Sequence, residues 1–169
     1  MTPYMYNSSV PVFKQLLNSL SAILTKAEAL AIEKKFEPKV LLDARLFPDM
    51  FPLSRQVQIA TDFAMSVPAR LAGVEVPAYD NNDQSFTELQ DRISKALMFI
   101  DNLTPAQFEN SETREIILRL GTPKEKTLLG HTYLSNYGLP QFFFHVTTAY
   151  GILRHNGLEV GKGDFMGAY

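Results

Sequence analysis

The chain contains no cysteine. Disulfides, thiolate nucleophiles and cysteine-ligated zinc are therefore excluded, and any metal must rely on histidine, carboxylate or amide side chains. Long apolar runs are also missing, since nothing approaches the ~20 residues that span a bilayer. Residues Met1 to Asn7 carry no basic start followed by an apolar stretch, so no signal peptide is expected there. Concentrated positive charge is scarce. The 16 basic and 18 acidic residues leave a formal charge of −2, and basic residues gather no more densely than Lys34-Lys35 or Lys124-Glu-Lys126. A nucleic-acid surface needs a larger basic footprint than either. Phosphate loops, serine nucleophile elbows, His-Glu-x-x-His zinc signatures and Glu-x-x-His pairs are absent as well. The expectation is a cytoplasmic protein with neither membrane nor nucleic acid as partner.

What remains is a globular profile. The 169 residues, 46% hydrophobic and 20% charged, are enough for one domain spanning 1–169 with a substantial core. Apolar residues Phe13, Leu16, Leu17, Leu20, Ile23, Leu24 and Ala27 recur at three- and four-residue steps, which predicts a helix. Ser9 is its expected N-cap and Pro11 lies in its first turn; through Ala29 to Ala31 it either continues or restarts. Pro38, Pro48 and Pro52 break up the next segment, which is too apolar for a free linker and reads as an ordered connector. A second helix follows from about Leu53 to Leu71, with the stripe Leu53, Val57, Ala60, Ala64, Val67 and Leu71. Pro68 should kink it or end its regular portion. Ser85 to Glu88 forms a capping box that opens a third helix, with Phe86, Leu89, Ile93, Ala96, Leu97 and Ile100 inward. Thr104 to Gln107 repeats that start signal for a short helix. Arg114 to Leu129 reads as a β-hairpin turning at Gly121-Thr-Pro123.

The last helix carries the most information. It is expected between Pro140, in its first turn, and Gly157, at its stop. Apolar residues occupy nearly every side, as in a buried helix, except along one seam: Gln141, His145, Thr148 and His155 share a face. Buried polar groups need partners, so the seam points to a pocket, a hydrogen-bond network or a metal site. Beyond it, Phe165 and Met166 are candidates to pin a glycine-rich tail to the body. Four long helices and one hairpin predict an all-α bundle.

Two runs, Leu42 to Gln56 and Phe144 to Gly157, resemble an uncharacterised bacterial domain family of the DinB/YfiT-like superfamily. The resemblance covers almost the whole chain and implies a four-helix bundle with a small hairpin before the last helix. It also implies a homodimer and a divalent metal, Ni or Zn, serving thiol-dependent transferases and isomerases. The superfamily's metal rests on three histidines, one on the second helix and a His-x-x-x-His pair on the last. By this resemblance His145 is the second histidine of the pair, and Gln141 replaces the first. No histidine occurs on helix two.

The residues themselves leave alternatives. His145 is either a metal ligand or general base, or a histidine hydrogen-bonded within the bundle. Gln141 is a weak ligand for transition metals and a natural i, i+4 hydrogen-bond partner for His145. Gln56 and Thr61 flank the stripe of helix two, as pocket residues or as its polar boundary, while Asp62 falls opposite the core and should be solvated. Thr148 completes the pocket candidates. Asp43, Arg45 and Asp49 either line the pocket mouth or position a charged substrate, or, as is commoner for such neighbours, pin the connector through arginine–carboxylate pairing. The favoured function is a small-molecule pocket, with the triad degenerate and no firmly held metal. A divergent metal-dependent transferase and a structural homodimer are the alternatives.

Overall fold

The computed structural model describes residues 3–169. Four long helical segments form the bundle: α2 (Val10–Lys34), α4 (Leu53–Ala72), α5 (Phe86–Asp101) and α7 (Leu139–His155). Shorter pieces are α1 (Tyr4–Asn7), α3 (Lys39–Leu42), α6 (Gly130–Tyr133), α8 (Lys162–Met166) and a 3-10 turn, Pro105–Phe108. Strands β1 (Glu115–Leu118) and β2 (Lys126–Leu129) pair antiparallel, with Ile116 opposite Leu128 and Leu118 opposite Lys126. The fold is a helical bundle with the hairpin ahead of its last long helix.

Helix α4 is the central element, packed against both α7 and α5, while α2 closes the far side against α5. The stripe from Leu53 to Leu71 is fully buried at all six positions. Its two alanines, Ala60 and Ala64, keep that face slim. Across the bundle, Phe13 of α2 meets Phe142 of α7 edge to face at 4.8 Å, a geometry that adds about 1 kcal/mol beyond burial alone.

Helix ends are set by local chemistry, not always as the residue types imply. Ser9 takes the N-cap position of α2 as expected, but its side chain does not cap the helix: the hydroxyl donates backwards to Met5 O at 2.5 Å. The helix then runs unbroken through Ala29–Ala31 and ends on Lys35, which adopts a left-handed φ of 57°. Pro68 does not terminate α4, which continues to Ala72 and stops at Gly73 (φ 72°) with Val74 N–H returning to Ala69 O. Glu88 N–H donates to Ser85 Oγ as a capping box requires. The Glu88 carboxylate, however, reaches one residue further back, to Gln84 N–H at 2.6 Å.

The segment before α7 departs furthest from expectation. Pro140 does lie in the first turn of α7, as expected, but no loop precedes it. The chain is already helical from Gly130, through α6 and a π-turn at Leu134–Gly138, into α7. Proline lacks the N–H for an i−4 bond and its ring crowds that carbonyl, so a widened turn directly before it relieves both conflicts. Gly138 lies where a Cβ would stand 2.7 Å from Val67 Cγ2, so a bare backbone is what lets the rod approach α4. The tail is held by α8, where Phe165 packs edge-on against Tyr150 and Gln15 donates to Met166 O.

Candidate binding site around His145

Helices α4 and α7 bring Gln56 and His145 together. Gln56 is buried one turn into α4, and its Nε2 donates to Phe51 O, the carbonyl that ends the connector. A carbonyl only accepts, so this bond fixes the amide orientation and turns Oε1 towards His145, whose Nδ1 lies 2.7 Å away. Oε1 has no proton to give. Nδ1 must therefore carry the hydrogen, which leaves the Nε2 lone pair unused. Among the described residues Ser19 Oγ is the buried side-chain polar atom without a partner. His145 Nε2 has no protein partner either, so it retains contact with solvent through the 7% of the residue still exposed.

The surroundings hold the ring neutral. Phe63 stacks on its face at 6.2 Å and Phe144 meets it edge-on at 5.2 Å. Burial, helped by the positive charge of Arg55, brings the imidazole down from 6.5 to about 4. Arg55 itself donates to Gln58 Oε1 and lies 6.0 Å from the centre of the Phe51 ring. The arrangement is a neutral imidazole with a single hydrogen-bond acceptor, set among aromatic rings.

The other candidates fall elsewhere. Gln141 is not His145's partner, because Gln56 has taken Nδ1; it stands half-buried on an open cleft of about 350 Å³ with Asn136, Tyr137 and Phe144. Thr148 is buried one turn beyond His145, but its hydroxyl donates to Phe144 O within the helix. Thr61 faces α5, donating to Gln58 O and accepting from Arg92. Asp62 is not simply solvated, since it pairs with Arg92 at 2.5 Å. In the connector, Arg45 bonds the carbonyl of Met50 and not a carboxylate, and Asp43 pairs with Lys39.

Arg92 is the polar centre that the periodic reading overlooks. Only 3% exposed, it places all five N–H groups: on Thr61 Oγ1, Asp80 O, Asp83 Oδ2, Asp62 Oδ1 and Asn81 Oδ1. It thereby fastens the loop between α4 and α5 to both helices. The acceptor-rich run Asp80-Asn-Asn-Asp83 was the available signal, since so many acceptors call for a rigid multi-donor partner.

No three histidine, aspartate or glutamate side chains converge to hold a metal ion among the described residues. Around His145 the nearest polar group, Gln56 Oε1, is spent on Nδ1. The donor set does not fit a three-ligand divalent site.

No curated protein matches the chain. A crystal structure of a DinB family member protein from Shewanella denitrificans superimposes with a TM-score of 0.91 at 42% identity, over 97% of this chain and 92% of that one. The model of DUF1993, a domain of unknown function, matches residues 5–166. With that match across nearly its full length, the chain belongs to the DUF1993 family of DinB-like helical bundles.

Proposed function

We propose that this protein binds a small molecule at His145 without a firmly held metal, through a neutral imidazole that accepts a hydrogen bond from the ligand. The observation that supports this is the 2.7 Å contact of His145 Nδ1 with a glutamine already anchored to Phe51 O. It orients the ring, assigns its proton and leaves Nε2 as acceptor, while Phe63 and Phe144 supply apolar walls. The ligand class that suits these groups is an aromatic or unsaturated molecule carrying a hydroxyl or N–H donor. The test is a ligand screen by thermal stabilisation, run on untagged protein beside His145→Ala, with elemental analysis of both. Ligands that stabilise the parent and not the variant, in metal-free protein, support the reading. Stoichiometric metal lost on His145→Ala would replace it with the divergent transferase.

A homodimer is a second reading, favoured by apolar side chains left on the surface. Phe47, Phe51, Leu46 and Phe144 are each more than two-fifths exposed, and Leu46 lies against α7 at Gly151. Light scattering at micromolar concentration tests it, and a monomer would remove it.

A further inference from the structure

A second cleft lies away from His145, between the hairpin and the helical rod that begins at Gly130. Residues two apart share a strand face, so Leu118, Lys126 and Leu128 all look the same way, towards the rod. They line a cavity of about 290 Å³ together with Arg119 and Lys124 from the connecting turn. The opposite wall is Thr132, Asn136 and Tyr137, spaced to fall on one side of the rod.

Charge in this cleft is one-sided. Arg119, Lys124 and Lys126 make no ion pair among the described residues. Glu125, the acid between the two lysines, is turned back into the loop, where its carboxylate accepts from Gly121 N–H at 2.7 Å. No acidic side chain lines the cavity. Facing the cations, the rod adds the polar side chains of Thr132, Asn136 and Tyr137. Leu118 and Leu128, both half-buried, make the floor apolar. Three cations beside a polar wall and an apolar floor match an anion carried on a hydrophobic body, the phosphate or carboxylate being met at the turn. The cleft adjoins the one beside Gln141 and Phe144, with Asn136 and Tyr137 lining both.

We propose that the hairpin cleft is a binding site for an organic anion, with Arg119, Lys124 and Lys126 holding the charged group and Leu118, Leu128 and Tyr137 holding the body. The site uses none of the atoms assigned to His145, so each reading stands or falls alone. The test is a backbone amide NMR titration with phenyl phosphate, inorganic phosphate and phenol as separate probes. Phenyl phosphate is expected to give saturable shifts at residues 118–128 and 132–137, with Kd near or below about 1 mM. Inorganic phosphate and phenol should each bind at least about tenfold more weakly, and Lys124→Gln with Lys126→Gln should weaken phenyl phosphate by about tenfold or more. These lysines are exposed, so the double variant should fold, and unchanged circular dichroism checks it. Equal binding of phosphate and phenyl phosphate would mean surface charge alone and overturn the proposal. So would the absence of saturable shifts at these residues, or shifts that survive in the double variant.

Discussion

Acidification should destabilise this protein in a way that traces to one side chain. The His145 imidazole titrates at about 4 when folded, against 6.5 for the free group. Between those values the unfolded chain binds a proton that the folded chain refuses, so each fall in pH favours unfolding. The contribution of His145 is complete above pH 6.5 and is lost progressively as the pH drops towards 4. A displacement from 6.5 to about 4 sets a ceiling of about 3 kcal/mol on that loss. Solvent reaching Nε2 screens part of it, so about 2 kcal/mol is the working figure. Against a typical stability of about 5–15 kcal/mol, that is a large fraction.

The assay is urea unfolding at half-unit steps from pH 7.5 to 4, for the parent and for His145→Asn. Asparagine keeps an N–H near the Nδ1 position, and hence the donation to Gln56 Oε1, but does not titrate. Carboxylates that titrate near the acid end, including Asp62, whose burial raises it, and Glu88, which backbone N–H donation lowers, are common to both proteins. They cancel in the difference. The parent should lose about 2 kcal/mol more than the variant across this range, and the His145 ring resonances should show no protonation near pH 6. Parallel pH profiles, or a ring titrating at its ordinary value, would refute both the neutral imidazole and the binding role built on it.

Replacing the neutral partner by a charged one should move the same group upwards. Gln56→Glu puts a carboxylate against Nδ1 and should raise the imidazole by about 1–3 pH units, read by the same NMR titration. Arg92→Lys should cost about 2–4 kcal/mol in urea unfolding, because three donors on a flexible stem cannot replace five in a fixed fork. In that variant, amide exchange should accelerate most at residues 78–84, and an unchanged exchange pattern would count against Arg92 as the loop's anchor. Gly138→Ala should cost about 1–3 kcal/mol through its clash with Val67. Pairing it with Val67→Ala should cost less than the sum of the two single changes, whereas strict additivity would show that the contact is not the cause.

What could be read from the chain alone divides along a physical line. The α4 stripe was legible because six residues from Leu53 to Leu71 repeat the helical period, and period is a local property. The hairpin and the Gly157 stop were legible for the same reason. Pro140 was placed correctly in the first turn of α7; what the residues did not announce is the helical rod ahead of it, Gly130 to Gly138, which packs against α4 at Val67. His145 was found, but its partner was not. The i+4 rule offered Gln141, a neighbour along one helix, whereas the partner is Gln56, 89 residues away on another.

Arg92 illustrates the same limit from the other side. On α5 it sits among residues whose period explains Phe86, Leu89, Ile93 and Ala96, and a charged residue off that stripe is ordinarily solvated. Its burial follows from acceptors that two other segments supply, Thr61 and Asp62 from α4 and Asp80 to Asp83 from the loop. An excess of acceptors in one segment and an arginine on the helix of another are each unremarkable, and only together do they call for one another. In this bundle the apolar residues announce their faces by period, whereas Gln56 and Arg92 are defined by partners on other elements. The candidate functional chemistry at His145 therefore depends on a tertiary pairing that the periodic pattern of either helix alone does not contain.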